Sequence, residues 1–408
     1  MLINKTEDVV ILGGGVFGFS IAYHLAKEGI RSQVIEMDSI GAKASGKADG
    51  MLADAVGSFF YAGSSFSPAG AKPALVALAN DSYQRFKQLH GELKEETGLD
   101  IQYAICPNLR CALSEQEEDI LFKMVSEAKT KGFEVKWISG DDARNLEPLL
   151  SEEVRGAILG ECGQVEPYRY TLALAQGAEK LGAHIRYAQA VGFRYERDRV
   201  TSVILSSGTE VAVGTAIIAM GPWSGQAVSW LGMRLPLKTF RAQTLKLETS
   251  KRPNYQAAFR PPAVSEWPLV YMIISRRIDG TMLVGYTEDR PDTWDDDRPD
   301  TWIDSPSSEM KELMIEQALH FVPILEEARL IEHRAAVLGN PPSQGMVIGN
   351  FPNWQNVYLA TIGDNGIEVS PAVGRIMTDL IVGGERAAKA KQEIETVSPQ
   401  AHGIDVKR

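Results

Sequence analysis

Apolar residues follow two different periodicities along the chain. Uninterrupted apolar runs, such as residues 9–12, 216–219 and the run that starts at Val357, are typical of strands buried in a parallel sheet. Between 234 and 288 apolar and polar residues alternate instead, which indicates strands with one buried face. The pattern therefore predicts an α/β region that is interrupted by a strand-rich region.

Helical spacing of apolar residues and end signals fix the other predicted elements. Ser114 and Glu117 form a capping-box pair at the start of one helix, and Gly98 ends another. Predicted helices cover residues 72–97, 114–131, 168–181, 307–321 and 371–382, with a short helical segment at 141–150. Predicted strands cover 33–36, 99–113, 133–138, 183–187 and 329–337, and a hairpin covers 191–213.

The densest motif follows the first apolar run. Gly13, Gly15 and Gly18 have the spacing G-x-G-x-x-G and lead into a helix. Glycine at these positions permits a tight turn, the approach of a pyrophosphate to the backbone, and close packing of the helix on the strand. The second strand ends in Glu36, 18 residues after Gly18, where a carboxylate can accept hydrogen bonds from ribose hydroxyls. This order of features predicts a dinucleotide site with its diphosphate at the helix N-terminus.

Three further segments are predicted to approach the dinucleotide. The stretch 37–52 is rich in small residues and shows neither helical nor strand periodicity, and Ser45 and Lys47 within it are placed to reach a diphosphate. A plain mobile loop is the alternative for that stretch. Segments 221–225 and 363–374 follow buried strands at the sheet edge where ligands bind. The second leads to a helix that is expected to carry Pro371 in its first turn.

Composition and charge exclude several classes of function. The chain has 408 residues, of which 44% are hydrophobic, and a net charge of −11, which argues against nucleic acid and anionic membranes as partners. Cys106, Cys111 and Cys162 lack metal-ligand spacing, so we expect neither a metal site nor a disulfide framework. No apolar run reaches the roughly 20 residues of a membrane span, and the first core strand starts too early for a secretory leader. We therefore expect a cytoplasmic protein with a small-molecule substrate.

The two patterns together predict a discontinuous, two-domain α/β protein. Residues 1–88, 157–232 and 341–385 are assigned to a Rossmann-like dinucleotide domain, and 89–156 and 233–340 to a strand-rich α+β substrate domain, with ligands at the seam. The polar residues 386–408 are expected to form a flexible tail.

One short sequence occurs twice. Asp-Arg-Pro-Asp-Thr-Trp occupies residues 289–294 and again 297–302. It is either a lid or partner-binding arm, or a duplicated surface loop with two exposed tryptophans. Whether the protein is a homo-oligomer or a subunit of a larger assembly is left open by the sequence.

Five motifs together resemble a known family. They are the glycine motif and the segments 48–52, 163–168, 218–224 and 366–374. Their order and spacing resemble those of the FAD-dependent D-amino acid oxidase family, and most of all its glycine oxidase and D-amino acid dehydrogenase branches. The resemblance extends to about residue 385. It implies an FAD-binding Rossmann-like domain with a discontinuous, strand-rich substrate domain, and FAD bound in an extended form.

The resemblance also implies which residues hold FAD. It places Val191 near the adenine and the turn 363–367 at the flavin pyrimidine edge, where the dipole of the next helix can stabilise negative charge. Binding is expected to be non-covalent, because the residues to which some relatives attach the flavin are missing. The implied cofactor residues are Gly13, Gly15, Val16, Phe17, Gly18, Glu36, Ser45, Lys47, Gly50, Met51, Val191, Gly221, Trp223, Gly363, Asp364, Asn365, Gly366 and Ile367.

Five residues are candidates for the catalytic or substrate side. Met51 would lie over the isoalloxazine, and Tyr271 matches a substrate-site tyrosine of the family. Tyr286 is expected beside Tyr271, because a turn at 275–280 joins their two strands as a hairpin. Glu288, which the resemblance places facing the flavin, would repel an anionic substrate. Arg334 is the fifth candidate, as a partner of a substrate carboxylate.

The chain departs from the family pattern at the substrate carboxylate. Glycine oxidase-like proteins bind that group with an arginine whose position is occupied here by Leu338. Arg334 lies on the same face of its strand, about 13 Å away at roughly 3.3 Å per residue, and is a candidate anchor for a longer substrate. Arg276 and Arg260 are alternatives. We therefore expect a substrate other than glycine or D-alanine.

Flavin chemistry leaves the reaction class partly open. The cofactor accepts hydride at N5, so the protein has to hold the substrate C–H bond about 3–3.5 Å away and exclude water. We predict oxidation of a C–N bond in an amine or amino-acid derivative. The same geometry would serve a C–OH bond in a 2-hydroxy acid or sugar-like alcohol. A flavin-binding subunit with little turnover of its own is a third hypothesis, whereas the turn at 361–374 disfavours an NAD-dependent dehydrogenase.

Overall fold

The computed structural model describes residues 7–60, 72–259, 272–287, 298–299, 302–341 and 345–404. Within these ranges the chain forms two β-sheets with helices packed against them. Tyr271, Glu288, Arg260 and the first copy of the repeated sequence at 289–294 lie outside the described residues.

The first sheet is mainly parallel and carries the glycine motif. Its strands are β1 (Glu7–Leu12), β2 (Ser32–Glu36), β7 (His184–Tyr187), β8 (Ala190–Glu196), β9 (Arg199–Leu205), β10 (Glu210–Ile218), β16 (Met346–Asn350) and β17 (Val357–Ile362). The order is β16-β17-β10-β1-β2-β7, and β9 pairs with β10 and β8. β1 lies at the centre because its apolar run is buried on both faces. Ile11 packs in one core cluster, and Val10 and Leu12 pack in another.

The second sheet is largely antiparallel and lies across a cavity from the glycine motif. Its strands are β3 (Met51–Ala53), β4 (Ala104–Ala112), β5 (Lys136–Ser139), β6 (Gly156–Gln164), β11 (Lys238–Glu248), β12 (Gln256–Phe259), β13 (Met272–Arg276), β14 (Met282–Thr287) and β15 (Arg329–Asn340). The order is β15-β11-β14-β13-β12-β4-β6-β3, and β5 pairs with β6. The β13–β14 pair confirms the predicted hairpin.

The helices pack against both sheets and confirm most of the predicted ones. They are α1 (Val16–Lys27), α2 (Ala44–Lys47), α3 (Ala55–Ser58), α4 (Pro73–Thr97), α5 (Glu115–Thr130), α6 (Gly140–Leu146), α7 (Pro167–Lys180), α8 (Ser224–Ser229), α9 (Ser308–Leu319), α10 (Gly366–Val382) and α11 (Gly384–Glu393). The predicted capping box of Ser114 and Glu117 is present at the start of α5. Among the described residues, no helix combines the length and the apolar character that a membrane span requires.

Two predictions near the C-terminus are wrong. Residues 384–393 form α11 rather than a flexible tail, and Ala390, Ile394 and Val397 are buried against the main core. These three apolar residues recur at helical spacing, but the polar residues around them hide the pattern. α10 begins at Gly366, so Pro371 lies inside the helix instead of in its first turn. Proline cannot donate to the carbonyl of Ile367, and the Ser370 hydroxyl donates to that carbonyl instead, at 2.9 Å.

Three other predicted boundaries also change. β6 belongs to the second sheet, because Gly156–Gln164 pairs with β3, β4 and β5, whereas the sequence pattern places residues from 157 onward in the dinucleotide domain. The stretch 37–52 contains the short helix α2 and the start of β3, although neither has a sequence period long enough to detect. β10 joins the predicted strand 216–219 to the last part of the predicted hairpin.

Candidate active site

A cavity of about 470 Å³ opens where the carboxyl ends of the parallel strands face the second sheet. Residues that follow β1, β2, β10 and β17 form one wall, and β11, β14 and β15 contribute the opposite wall. Its position at the carboxyl edge of the sheet, beside the crossover from β1, is the usual ligand site of this architecture. The predicted seam between two strand systems is therefore where the cavity lies.

The glycine motif forms the floor of this cavity, and each glycine has a different neighbour. A Cβ atom at Gly13 would lie 2.4 Å from the carbonyl oxygen of Ala219, and Gly13 has φ +105°. A Cβ at Gly18 would lie 1.9 Å from the Gly13 carbonyl oxygen, so the helix packs directly on the turn. At Gly15 the nearest atom would be the Ser45 hydroxyl oxygen at 3.1 Å, and Gly15 lines the cavity. Gly15 thus leaves room for a ligand, while the other two serve packing.

One end of the cavity has the features of an adenosine site. Glu36 at the end of β2 accepts hydrogen bonds from the backbone N–H groups of Gly14, at 2.6 Å, and Asp38, at 2.8 Å. These bonds fix a carboxylate at the cavity wall, where it can accept the ribose hydroxyls. Residues 188–190 line the same end, whereas the predicted Val191 does not line the cavity and is 43% exposed.

The N-terminus of α1 and the segment that contains α2 form the middle of the cavity. The Val16 N–H donates to the Ser45 hydroxyl at 3.0 Å, which places Ser45 directly at the helix N-terminus. Lys47 lines the cavity, as does Lys43, which sequence reasoning did not single out. Helix-end N–H groups together with hydroxyl and ammonium donors suit a diphosphate.

The far end is built by the turn between β17 and α10. Residues 360–368 line it, and Asn365 adopts a left-handed conformation with φ 64° at the N-cap of α10. The Asn365 side-chain carbonyl oxygen is buried and has no hydrogen-bond partner among the described residues. Glu368, in the first turn of α10, also lines the cavity and is buried. Sequence reasoning missed Glu368, although it is the only charged residue in the segment 366–374, a signal that could have found it.

Small residues of the second sheet form part of the opposite wall. Ala242 lies across from Ala336 in the β11–β15 pair, and Thr244 lies across from Gly285 in the β11–β14 pair. All four line the cavity, and Leu338 lies two residues beyond Ala336 on the same strand. The alternation of side chains along a strand explains why these residues share a face. They present small side chains, or none, to the cavity, and we call this stretch of the wall the recess. At one side of it the Thr244 hydroxyl donates to the Lys47 carbonyl oxygen at 3.4 Å, and a Cβ at Gly285 would lie 3.6 Å from the Asp49 Cβ.

Two tryptophans meet at the rim. Trp223 lines the cavity, and its ring centroid lies 5.6 Å from that of Trp302, the last residue of the second repeat. Pro299, in the same repeat, also lines the cavity. Because residues 289–297 lie outside the described part, the choice between a lid and a surface loop stays open.

The structure places most of the predicted cofactor residues together. Those that line the cavity are Gly13, Gly15, Val16, Phe17, Glu36, Ser45, Lys47, Gly50, Met51, Gly221, Trp223, Gly363, Asp364, Asn365, Gly366 and Ile367. Gly18 lies beneath the cavity. Arg334 is not a lining residue: its Nη1 donates to the Gly46 carbonyl oxygen at 3.3 Å, and its Nε lies 3.6 Å from Glu332.

The substrate-side tyrosines are only partly described. The backbone of Tyr286 lies in β14 opposite Met272, not opposite Tyr271, and Met272 packs in the core on the face shared with α9. The cavity-lining residue of β14 is the neighbouring Gly285. The predicted tyrosine wall therefore stays a prediction.

Comparison with known proteins decides the family. A family model described as DAO, FAD dependent oxidoreductase, matches residues 8–380. The chain belongs to this family. Glycine oxidase from Bacillus licheniformis is 29% identical over 390 residues, covering 93% of this chain and 94% of that protein. 4-Methylaminobutanoate oxidase (formaldehyde-forming) from Paenarthrobacter nicotinovorans is 26% identical and covers 92% of this chain but 43% of that longer protein. The structure of glycine oxidase from Bacillus cereus ATCC 14579 matches with a TM-score of 0.80 and 26% identity, covering 94% of this chain and 97% of that one.

The cavity of this FAD-dependent oxidoreductase fits its cofactor. The carboxylate of Glu36, the open approach at Gly15 and the unpartnered Asn365 oxygen follow one another from one end of the cavity to the other, as an extended dinucleotide requires. Within the described ranges, no group of three or more His, Cys, Asp and Glu side chains is arranged to hold a metal ion. Cys106, Cys111 and Cys162 are buried, and none of them forms a disulfide bond.

Proposed function

We propose that this DAO-family protein oxidises the C–N bond of an amino-acid derivative larger than glycine, with FAD as the hydride acceptor. The names of its relatives, glycine oxidase and 4-methylaminobutanoate oxidase, support a C–N bond over a C–OH bond. FAD supplies the electron-accepting centre when bound. The protein residues hold the substrate in the recess and keep water away from the reacting bond.

The observation that carries the size preference is the recess in the second sheet. Ala242, Thr244, Gly285 and Ala336 place small side chains, or none, on adjacent strands of the cavity wall opposite the parallel sheet. A substrate with an N-substituent or a longer side chain can fill this space and bury apolar surface, at about 0.8 kcal/mol for each buried CH₂ group. Glycine would leave it empty.

The charges at the far end of the cavity argue against a substrate that is recognised mainly through its α-carboxylate. Leu338 lines the wall at the position where the family resemblance expects a carboxylate-binding arginine. The ionisable residues that line the far end, Asp364 and Glu368, are acids, whereas Lys43 and Lys47 line the middle of the cavity. An α-carboxylate held here without a cationic partner would lose about 3 kcal/mol, or roughly a hundredfold in affinity. A cationic or neutral polar substrate fits these charges.

Anaerobic stopped-flow reduction of the bound flavin tests the proposal. The panel comprises glycine, D-alanine, sarcosine, bulky secondary amines, polyamines and 2-hydroxy acids. We expect a bulky N-substituted amine to reduce the flavin with an apparent second-order rate constant at least tenfold above that of glycine. Fast reduction of the flavin by glycine or D-alanine would contradict the size and charge argument. Reduction by 2-hydroxy acids alone would show that the protein oxidises a C–OH bond instead of a C–N bond.

Variants at Leu338 separate the carboxylate argument from general packing. Leu338→Arg should raise the rate constant for glycine or D-alanine relative to bulky amines, because a guanidinium can pair with the carboxylate. Leu338→Met keeps an apolar side chain of similar size and should leave the preference unchanged. An equal change of preference in both variants would show that Leu338 acts through packing alone.

A further inference from the structure

Glu368 is a buried acid in the cavity wall that the proposed reaction does not use. Glu368 lies in the first turn of α10, is 4% exposed and lines the cavity. Its Oε1 accepts hydrogen bonds from the Ala53 N–H, at 3.2 Å, and the Ser58 hydroxyl, at 3.3 Å. Its Oε2 accepts a hydrogen bond from the Asn365 side-chain amide. Three elements, β3, α3 and the N-cap of α10, therefore fix one carboxyl group in place.

The sheet order places Glu368 beside the flavin and not beside the adenosine. Glu36 marks the ribose at the end of β2, and the Gly15 turn marks the diphosphate at the end of β1. An extended FAD that crosses the sheet edge in this direction continues over β10 towards β17. The turn after β17 leads directly into α10, so Glu368 belongs to the half of the cavity that the flavin ring has to occupy.

The surroundings of Glu368 make its charge sensitive to other charges in the pocket. Burial raises the pKa of Glu368 to about 7, the three hydrogen bonds oppose that rise, and the charge of Asp364 adds to it. Asp54 caps α3, which carries Ser58, and Asp49 precedes β3. Arginines lie near both of these acids, Arg110 near Asp54 and Arg277 near Asp49, so Asp364 is the acid whose charge acts on Glu368.

The helices packed against α10 bring their charged groups to its other half. Asp81 of α4 contacts Arg375, and His24 of α1 lies near Gly374. Both positions are six or seven residues further along α10, about 10 Å from Glu368 at 1.5 Å per residue. These groups therefore act on Glu368 weakly compared with Asp364.

We propose that Glu368 takes up a proton when the bound flavin is reduced. A hydride brings two electrons and one proton to the cofactor and leaves it with one added negative charge. The Glu368 carboxylate then binds one proton from water and becomes the neutral acid, so the pocket gains no net charge. In turnover the amine substrate gives up the hydride, and in the test below a reducing dye supplies the electrons. The inference rests on the FAD cofactor and not on the choice of substrate.

The reduction potential of the flavin as a function of pH tests this inference without any substrate. One additional proton per two electrons steepens the fall of the potential by about 30 mV per pH unit. We expect this additional slope in the FAD-loaded wild-type protein above neutral pH, where Glu368 is ionised before reduction. Glu368→Gln, which cannot take up the proton, should lack it. A Glu368→Gln variant with the wild-type slope would overturn the proposal.

A matched control and a second readout keep the test decisive. Glu117 is a buried acid in α5, outside the cavity residues, and burial raises its pKa as well. Glu117→Gln should therefore keep the wild-type slope.

In the reduced-minus-oxidised infrared difference spectrum, the wild-type protein should gain a carbonyl band of a protonated carboxylic acid. If Glu368→Gln fails to bind FAD, Glu368→Asp should keep that band at a shifted frequency. Absence of the band in the wild-type protein would refute the proposal.

Discussion

Gly15 and Gly18 belong to one motif but face different constraints. Gly15 has an extended backbone with φ −83°, so a side chain is sterically allowed there, and its Cβ would point into the cavity near the Ser45 hydroxyl. Gly18 has no such space, because its Cβ would overlap the Gly13 carbonyl oxygen. The same residue type therefore serves ligand access at one position and helix packing at the other.

This contrast predicts opposite phenotypes for two substitutions. Gly15→Val should abolish FAD binding and the yellow colour while the thermal unfolding temperature of the FAD-free protein stays near that of FAD-free wild type. Gly18→Ala should lower the free energy of unfolding by about 3 kcal/mol or more, because the backbone has to shift. Flavin absorbance and thermal denaturation measure the two effects. A yellow, stable Gly15→Val protein would contradict the site.

The C-terminal helices are joined by an ion-pair network around Arg375. Arg375 of α10 contacts Asp81 of α4 at 3.2 Å, Asp379 at 3.1 Å and Glu393 of α11 at 2.5 Å. Its side chain is 18% exposed, and Arg386 adds a second contact to Asp379. Because these pairs are partly shielded from water, they tie α11 to the core more strongly than surface pairs would.

Arg375→Gln should destabilise the protein by about 1–3 kcal/mol, because it leaves partly buried carboxylates without their partner. Burial raises the pKa of Asp81, but Arg85 and Arg375 outweigh it and hold that pKa below its ordinary value of 3.8. The stabilisation from Asp81 is therefore complete above pH 3.8 and is lost as the pH falls below that value. Urea unfolding at pH 7 and at pH 3.5 should show a smaller difference between wild type and variant at the lower pH.

An exposed ion pair provides the control for this network. Arg329 and Glu248 are 2.6 Å apart, but their side chains are 70% and 54% exposed. Arg329→Gln should change the free energy of unfolding by less than about 0.5 kcal/mol. An equal loss of stability in the two variants would show that Arg375 contributes no more than a surface pair.

At the scale of the whole molecule, the cavity is the contact region between the two sheets. One wall comes from the carboxyl ends of the parallel strands and the other from β11, β14 and β15. FAD bound there would contact residues of both sheets, and only the folded protein can form this site. The loss of FAD therefore removes stabilisation from both halves of the molecule.

Removal of FAD should lower the unfolding temperature of the whole protein. At a free FAD concentration of 1,000 times Kd, binding contributes about 4 kcal/mol. FAD added back to the stripped protein should restore the unfolding temperature, whereas NAD should not. Acid precipitation should release intact FAD and leave a colourless pellet, as expected for non-covalent binding. A pellet that stays yellow would refute non-covalent binding.

The sequence by itself determined the parallel sheet, the glycine turn, the family and most of the residues that line the cavity. These features follow from local constraints: uninterrupted apolar runs, the φ range of glycine, and capping residues such as Ser114 and Glu117 at the start of α5. Each constraint acts within one or two elements, so the residues that express it lie close together along the chain.

Tertiary structure alone decided the far end of the cavity. Glu368 meets Ala53 across 315 positions of sequence, and the recess depends on the register of β11 with both β14 and β15. The docking of α11 depends likewise on its ion pairs with α10. No local pattern specifies such contacts, because strand register and helix docking are set by which surfaces exclude water together once the whole chain has folded.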